Sequence, residues 1–380
     1  MVLLTYCLLI YQPAETIVMF KSWNLSLLVK SLRDQLNHFI CIYKIFLWFT
    51  KRRQILNILK GLQSQEFMYE KYNKYNPGKI LYKYKTKSDR WSKLFLYGVN
   101  GICFNMTLSV LYVYIFKYRD YSSEDEEGNL IYTQKLPVTL ITPFKQNTRL
   151  GFILHFIFMI LPLDIYGWII IGLDTLFTSI LNCITAHVLI LNGAFETIRP
   201  RCLTRLKLNN RNLSSIDMKT LHNEMLKEQN KCIRHLQKLI RISGKVEEIY
   251  NVQTLGQVMI SLFEMCFCLF LLTLSFDSSF GNELTYLFST ALQLLLYCWF
   301  GNGITEASAA IPSALFKGDW LDASLKFKKS MLITMTRMKK PISFTIAKFT
   351  PLAFTTFLSM ARVAYSFFTV LRSGVFESPE

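Results

Sequence analysis

The amino-acid sequence predicts an all-α, polytopic membrane protein with seven transmembrane helices. Of its 380 residues, 51% are hydrophobic and 18% are charged, whereas a soluble domain carries about 25% charged residues. The hydrophobic residues are gathered in blocks that approach or exceed the roughly 18 residues of a membrane-spanning candidate. Lys and Arg are gathered between those blocks, as in proteins whose basic loops set their orientation in the membrane.

Seven apolar stretches account for the predicted spans. They lie at about 2–20, 25–50, 93–117, 150–173, 253–275, 284–305 and 342–371. The first is weak, because Gln12, Pro13 and Glu15 interrupt it. The second carries Lys30, Arg33, Asp34 and Lys44, and charged side chains inside a membrane normally face a cavity, a partner helix or the headgroups. We therefore expect the outer half of span two to line a water-filled vestibule, unless this span begins only near Leu36.

The fourth apolar stretch can be interpreted in two ways, because it continues from Gly151 to Ala194. As one helix it would be about 66 Å long, twice the thickness of the hydrocarbon core. It is therefore either a two-span hairpin or one span with an extension beyond the membrane. The loops 51–92, 199–250 and 306–341 together hold thirty of the 43 basic residues. Only a single crossing keeps all three basic loops on one side, so the sequence favours one span.

The same charge asymmetry predicts the orientation of the chain. The alternate loops, together with Arg372 beyond the last span, hold seven basic residues. Basic loops remain in the cytoplasm, so we expect a cytoplasmic N-terminus and an extracellular C-terminus, the inverse of a G-protein-coupled receptor. The sequon Asn24-Leu25-Ser26 lies near the outer end of span two, which makes Asn24 a candidate for glycosylation.

The sequence carries no signature of catalysis or of metal binding. Its five histidines lack metal-ligand spacing, and it contains no glycine-rich phosphate loop, Gly-x-Ser-x-Gly turn or paired-carboxylate motif. None of the nine cysteines lies in the loops placed outside, so no disulfide framework is expected. The net charge of +17 follows the loops between spans. We therefore predict no enzyme, no cofactor and no nucleic-acid partner.

Two cytoplasmic segments show the spacing of amphipathic helices. In the loop 199–250, apolar residues recur at steps of three and four: Leu221, Met225, Cys232, Leu236, Leu239, Ile240, Ile242 and Val246. The stretch from Asp322 to Pro341 repeats the pattern, and Pro341 stops or kinks it. An apolar stripe must be covered, either by packing within one chain or by packing between subunits around a shared axis.

The end of the sequence carries an ordered set of short motifs. Span six ends in a helix of small residues that is followed by a tryptophan. A Lys-Pro pair comes next. The last apolar span then carries a basic residue three positions before a Tyr-Ser pair. The residues concerned are Gly301, Gly303, Trp320, Lys340, Pro341, Arg362, Tyr365 and Ser366. This order resembles the C-terminal third of insect odorant receptors. Weaker similarity in Leu136–Phe144 and Cys232–Ile240 extends the resemblance over most of residues 90–372.

The resemblance implies an odour-tuning subunit of an odorant-gated, nonselective cation channel in the plasma membrane of a sensory neuron. Such a subunit forms a heterotetramer with a conserved coreceptor and binds a volatile odorant. Residues 1–305 would hold helices one to six, with a ligand cavity in their outer halves and cytoplasmic helical loops at 51–92 and 199–250. Residues 306–341 would form a cytoplasmic anchor, 342–372 the pore-lining helix and 373–380 a short extracellular tail. Family members carry some tens of residues before span one, so we expect the natural chain to begin further upstream.

The resemblance also assigns residues to sites. Tyr365, Phe368 and Leu371 would line the pore, where apolar rings gate by dewetting, and Leu371 stands where the coreceptor has a polar side chain. An apolar cavity with few polar anchors would bind the odorant; its candidate residues are Phe104, Leu108, Leu111, Tyr112, Phe156, Ile160, Tyr286 and Ser289. Trp320, Pro341 and Arg362 would be structural. We expect Arg362 to turn from the pore toward another helix or a carboxylate, with Asp164, Asp174 and Glu264 as candidates.

Two other functions remain as alternatives at this stage. Gustatory receptors share the topology, but their final span reads Thr-Tyr followed by apolar residues and Gln-Phe. Here Ala364-Tyr365-Ser366 leads instead to Leu371-Arg372, which favours the odorant branch. A secondary transporter would show an internal repeat with broken helices, and the sequence shows no such repeat.

Overall fold

The computed structural model describes residues 11–21, 25–64, 67–116, 122–124, 130–132, 148–208, 214–274 and 280–376. Most of these residues are helical. The helices are α1 (Gln12–Lys21), α2 (Leu25–Gln63), α3 (Pro77–Phe116), α4 (Arg149–Glu196), α5 (Ile198–Leu206), α6 (Ser215–Leu274), α7 (Phe280–Ala309), α8 (Ile311–Lys317), α9 (Leu325–Met338) and α10 (Phe354–Phe376). Two short antiparallel hairpins pair β1 (Ser122–Glu124) with β2 (Leu130–Tyr132) and β3 (Thr345–Ile346) with β4 (Thr350–Pro351).

Seven of these helices lie in the seven predicted spans, namely α1, α2, α3, α4, α6, α7 and α10. For the first span this holds from Gln12 onward, because its earlier residues lie outside the described part of the chain. Helix α4 is continuous over 48 residues, so the single-crossing interpretation is confirmed and the hairpin is wrong. Helix α2 begins at Leu25 and runs on to Gln63, so the chain is already helical before Leu36; where the span itself begins stays a prediction. Among the described residues, three helical stretches could cross a membrane by length and composition: Leu150–Glu196, Ser215–Thr273 and Phe280–Lys317.

Local sequence signals explain where the two longest helices begin. Thr148 caps α4, because its side-chain oxygen accepts a hydrogen bond from the backbone N–H of Gly151 at 3.1 Å. Ser214 and Asp217 form a reciprocal cap on α6: the Ser214 hydroxyl oxygen accepts from the Asp217 N–H, and an Asp217 carboxylate oxygen accepts from the Ser214 N–H, both at 3.2 Å. These caps satisfy backbone donors that a helix leaves unpaired at its N-terminus.

The basic ends of the helices pack into a dense bundle, which we call the basal bundle. It comprises α2 after residue 50, α3 before residue 93, α4 after residue 173, α5, α6 before residue 251, α8 and α9. Of the eight apolar residues predicted to form a stripe on α6, all but Ile240 are buried. Packing within the chain therefore covers this stripe. Helix α9 buries Phe327 and Met331 but leaves Leu332 and Ile333 exposed.

The remainder of the spans forms the opposite half, which we call the cavity half. It comprises α1, residues 25–50 of α2, residues 93–116 of α3, residues 149–173 of α4, residues 251–274 of α6 and the first half of α7. Helix α10 packs along α6 and, less extensively, along α7. The continuous core of the basal bundle extends into only part of the cavity half, which also contains a large cavity.

The predicted last span differs from the structure at its start. Residues 342–353 are not helical, and they contain the β3–β4 hairpin, in which Ala347 and Lys348 adopt positive φ angles of 50° and 64°. Pro351 explains the late start of α10, because proline cannot donate a backbone hydrogen bond and disfavours helical geometry at the residue before it. The helix then continues to Phe376, beyond the predicted limit at residue 372.

Candidate functional site

A cavity of about 520 Å³ lies in the cavity half, between α2, α3, α4 and α7. Its walls combine aromatic and aliphatic side chains with a row of polar ones from α7. That row occupies one face of the helix, because its members are spaced by three and four residues: Asn282, Thr285, Tyr286, Ser289, Thr290 and Gln293. A site of this size and mixed lining suits a small organic ligand.

Glycine residues keep the cavity open on the side of α3. A Cβ atom added at Gly98 or at Gly101 would meet nothing within 4 Å. Both glycines line the cavity, as does Gly167 on α4. The missing side chains therefore leave space that any larger residue would occupy.

Asn37 and Tyr286 form the central polar contact of the cavity wall. The Asn37 amide nitrogen donates a hydrogen bond to the Tyr286 hydroxyl oxygen at 2.9 Å. The guanidinium carbon of Arg33 lies 4.0 Å from the centre of the Tyr286 ring, a cation–π contact. The tyrosine oxygen accepts from Asn37, so its own O–H remains available as a donor toward the cavity.

The charged residues of α2 are paired inside the bundle. Arg33 is buried and contacts the carboxylate of Glu283 on α7, and its Nε lies 3.1 Å from an Asp34 oxygen. Lys30 approaches the other oxygen of Glu283 at 3.6 Å. The expectation of a water-filled vestibule along this part of α2 is therefore corrected, because Glu283 neutralises these cations within the protein.

A second buried ion pair lies beneath the cavity and joins four helices. The ammonium group of Lys44 on α2 lies 2.6 Å from a carboxylate oxygen of Asp174 on α4. Asp174 also accepts hydrogen bonds from Tyr297 at 2.7 Å and from Gln293 at 2.6 Å, both on α7. Lys44 donates in addition to Gln257 on α6 at 2.6 Å. Since Gln293 also lines the cavity, this cluster connects the ligand site to the helix core.

The structure brings three of the eight candidate ligand residues to the cavity wall, namely Ile160, Tyr286 and Ser289. Phe156 is buried in a small separate core with Val110, Phe152 and Met159. The other four candidates are exposed on the outer surface of α3: Phe104, Leu108, Leu111 and Tyr112. This part of the prediction is corrected, because α3 lines the cavity with residues between 95 and 101 and not with these four.

The pore candidates lie on α10, whose apolar side chains are largely uncovered in the single chain. Tyr365 is 60% exposed and its ring lies 5.9 Å from that of Phe368, centre to centre. Leu358, Phe367 and Val370 are also more than half exposed. Leu371 belongs to α10, but its side chain lies outside the described part of the structure.

Among the residues that the structure describes, no carboxylate forms an ion pair with Arg362, in contrast to the prediction. It lies on the exposed side of α10. Asp174 is bound by Lys44, Tyr297 and Gln293, and Glu264 accepts a hydrogen bond from Thr290 at 3.2 Å. The orientation of α10, which turns Arg362 outward, explains the difference.

The other structural candidates lie at the junction between the two halves. The Trp320 indole N–H donates to the Phe316 carbonyl at 3.1 Å, and the ring packs on the basal bundle. Pro341 follows α9, and the next backbone N–H, that of Ile342, donates to the Ser308 hydroxyl at 2.9 Å. Asn24 lies outside the described residues.

Comparison with known proteins identifies relatives of the whole architecture. The family model described as "7tm Odorant receptor" matches residues 24–365. Similar curated proteins include odorant receptor 85c of Drosophila melanogaster, 24% identical over 144 residues, and putative odorant receptor 69a, isoform B, of the same species, 30% identical over 171 residues. These matches cover 38% and 43% of this chain and 37% and 41% of the relatives, so the chain matches about two fifths of their length.

A solved structure resembles the fold over nearly the whole chain. The insect olfactory receptor OR5 from Machilis hrabei, in complex with eugenol, superposes with a TM-score of 0.72. The match covers 98% of this chain and 88% of that one, at 16% sequence identity. The likeness supports the seven-helix architecture described above.

Proposed function

This chain belongs to the odorant receptor family, and from that premise we propose that it is the odour-tuning subunit of an odorant-gated, nonselective cation channel. In this proposal it assembles with a conserved coreceptor as a heterotetramer in the plasma membrane of a sensory neuron. The basal bundle lies in the cytoplasm, since its loops carry most of the basic residues. The cavity half then faces outward, toward the odorant.

The observation that carries the channel proposal is the uncovered apolar surface of α10. Side chains such as Tyr365 and Val370 are 60% and 67% exposed, and Leu358 and Phe367 share this exposure. A helix with this surface is stable only when lipid or other protein covers it. Four subunits around a common axis would cover part of it and leave one strip of each α10 facing a central pore.

In this arrangement Tyr365, Phe368 and Leu371 line the pore and form its hydrophobic constriction. The three residues follow each other at three-residue steps, so they share one side of α10. A narrow apolar ring excludes water and therefore ions until it widens. The exposed Arg362 lies nine residues before Leu371, so at about 100° per residue it projects from the side of α10 opposite Leu371. There it faces a neighbouring subunit, where a carboxylate or carbonyl group would be its partner.

The cavity in the cavity half is the proposed odorant site. Its volume suits a molecule of ordinary odorant size, and its polar contact between Asn37 and Tyr286 offers a hydrogen-bond donor in an otherwise largely apolar wall. With the Asn37 amide turned the other way, the free donor is the amide N–H instead of the phenol O–H. In either case the wall favours a neutral ligand with an oxygen atom that accepts a hydrogen bond, such as a ketone, aldehyde, ester or alcohol.

Electrical recording from cells that express this chain tests the proposal. We expect ligand-evoked cation current when the chain is coexpressed with the coreceptor, and none when either is expressed alone. Uptake of ligand without current would instead identify a transporter, and the channel proposal would be wrong.

Substitution within α10 tests the position of the constriction. Phe368→Ala is expected to raise the resting current or to change ion permeation, because it widens the proposed apolar ring. Phe367→Ala is the matched control, since it removes the same side chain from the neighbouring face of the helix. Unchanged permeation in Phe368→Ala, or an equal change in both variants, would remove Phe368 from the constriction.

A further inference from the structure

A second cavity, of about 480 Å³, lies on the far side of the spans from the proposed odorant site. It is enclosed by the start of α3, the extension of α4, the end of α7 and the first residue of α10. Its lining includes four aromatic residues, Tyr84, Trp299, Phe300 and Phe354, and three small residues at and just beyond the end of α7, Gly303, Ala307 and Ala310. None of its lining residues belongs to the odorant cavity.

Lys87 is the only cation among the lining residues of this cavity. Its half-buried ammonium group lies 5.4 Å from the ring centre of Phe300, 5.5 Å from that of Trp299 and 5.7 Å from that of Tyr84. These aromatic rings attract the cation only weakly. Within the described part of the chain, no carboxylate forms an ion pair with Lys87.

The electrostatic surroundings of Lys87 favour an anion. Burial, and then the neighbouring charge of Lys83 one helical turn away, lower the pKa of Lys87. Residues 77–93 contain six basic residues and one acidic residue, Asp89. The acidic residue that lines the cavity, Glu306, is exposed, and its carboxylate accepts a hydrogen bond from the Asn302 amide at 2.6 Å. The cavity therefore combines a partly desolvated cation with a positive rim.

The cavity lies at the boundary between the membrane and the basic side of the protein. The predicted spans begin at residue 93 on α3 and end near residue 305 on α7, so Lys87 and Glu306 lie just beyond them. Trp299 is 42% exposed, and tryptophan is enriched at the level of the lipid headgroups. Basic pockets between helices at this level attract the phosphate groups of anionic lipids.

We propose that this cavity binds the headgroup of an anionic phospholipid, with its phosphate at Lys87 and Lys83 and its acyl chains along the outward faces of α3 and α7. Lipid binding at this site requires neither a bound odorant nor channel activity. An occupant touches the end of α7 and the start of α10 together, because the rings of Trp299 and Phe354 meet edge to face at 5.3 Å. Bound lipid would therefore stabilise the junction from which α10 begins.

Thermal melting of the purified full-length protein in detergent tests the proposal. Phosphatidylinositol 4,5-bisphosphate or phosphatidic acid is expected to raise the Tm by several degrees, whereas phosphatidylcholine is not. Lys87→Gln is expected to weaken this lipid effect about fivefold, and Lys83→Gln by a comparable factor. The same melting experiment is repeated with soluble inositol phosphate and with inorganic phosphate. If these raise the Tm as much as the lipids do, the cavity is a free-phosphate site and the lipid assignment is wrong.

Lys85→Gln is the matched control, because Lys85 lies two residues before Lys87 and projects from a different side of α3, whereas Lys83 lies one turn before Lys87 and shares its side. Lys83 and Lys85 are both exposed, and neither lines the cavity itself. Equal losses in Lys85→Gln and Lys87→Gln would mean that lipid binds the basic surface generally, and the site would be rejected. Lys87→Arg keeps the charge and is expected to retain binding, which separates loss of the site from loss of the fold. Tryptophan fluorescence provides an independent readout. An anionic lipid with brominated acyl chains is expected to quench the fluorescence of Trp299 in the wild-type protein, and this part of the quenching is expected to be lost in Trp299→Phe. Equal quenching in the wild type and in Trp299→Phe would contradict the proposed location.

Discussion

The two halves of this protein are packed in different ways. One continuous hydrophobic core fills the basal bundle from Ile55 on α2 to Met338 on α9, and it extends into the cavity half only as far as residues such as Met265. The rest of the cavity half holds three small cores, around Tyr166, Phe152 and Phe270, and the cavity of about 520 Å³. A dense interior resists deformation, whereas small cores beside a void can rearrange at low cost. If the proposed function holds, the basal bundle is therefore expected to act as a rigid support and the cavity half to respond to the ligand.

Buried charges follow the same division. In the basal bundle, Arg201 is 1% exposed and donates to Glu228, to the Ala194 carbonyl and to Thr197. In the cavity half, the cation of Arg33 lies over a tyrosine that still has a donor to offer. A satisfied network fixes one arrangement, whereas a network with spare hydrogen-bonding capacity can accept a ligand.

Removal of the partner of Arg201 should produce the largest effect. Glu228→Gln leaves a buried guanidinium without its carboxylate, and loss of one partner of a buried ion pair costs about 3–5 kcal/mol. We expect a large fall in Tm of the purified protein. Glu224→Gln is the control, because Glu224 pairs only with the less buried Arg205 and Lys227, and such pairs contribute about 0–1 kcal/mol. Similar falls for both variants would show that the bundle does not depend on the Arg201 network.

At the junction between the two halves, we expect alanine to be tolerated in place of Gly303 but not in place of Gly301. A Cβ at Gly301 would lie 2.6 Å from the carbonyl oxygen of Leu352, just before α10. Gly301→Ala must therefore move the start of α10, and we expect a loss of about 1–3 kcal/mol together with an altered ligand-evoked current. At Gly303 the nearest atoms are 3.9 Å away, so Gly303→Ala serves as the control. If the ligand-evoked current of Gly301→Ala equals that of the wild type, the close approach of residue 301 to Leu352 does not affect gating.

The basal bundle should lose stability in mild acid through His235. Burial, followed by the charges of His187, Lys238 and Lys231, lowers the pKa of His235 to about 3, and its Nδ1 lies 3.2 Å from the Tyr69 hydroxyl oxygen. The unfolded chain binds a proton below about pH 6.5 and the folded chain does not, so this contribution is full above pH 6.5 and falls by about 1.4 kcal/mol per pH unit below it.

Melting curves at pH 7.5 and 5.5 check this expectation. Burial also lowers the pKa of His187, so the two rings act in the same direction. His235→Phe is expected to reduce the difference in Tm between the two pH values. An unchanged difference would place the acid sensitivity elsewhere.

The smallest effect is expected in the cavity half. Tyr286→Phe removes one hydroxyl that contacts Asn37, and one hydrogen bond contributes about 0.5–1.5 kcal/mol. We expect the apparent affinity for a ketone or alcohol to fall roughly two- to tenfold, while the response to a hydrocarbon of the same shape stays unchanged. Ser289→Ala is the control, because the Ser289 hydroxyl donates to a backbone carbonyl of its own helix. A loss that is equal for oxygenated and hydrocarbon ligands would assign Tyr286 to packing.

Sequence reasoning succeeded where one physical signal dominated. The Lys and Arg asymmetry predicted the single crossing of α4, and the steps of three and four predicted the buried face of α6 in the basal bundle. It failed for Phe104 and Tyr112, since a span that is apolar on every side carries no period that tells its inner from its outer face. The glycines at positions 98, 101 and 167 were the available signal, because they create the space that the cavity occupies.

The partners of buried charges could not be predicted for a similar reason. Asp174 was considered for Arg362, but it binds Lys44, 130 positions earlier in the chain. Such long-range pairs depend on the rotation and depth of whole helices. The spacing of residues within one helix does not show how another helix is rotated or how deep it lies.

Helix α6 passes without interruption from the cavity half into the basal bundle over 60 residues. At the standard rise this rod is about 90 Å long, so a tilt of about 2° around its midpoint would displace each end by about 1.5 Å. Because the rod has no joint, a slight change of angle beside an odorant would be transmitted as a lever movement, with no local unfolding along the way.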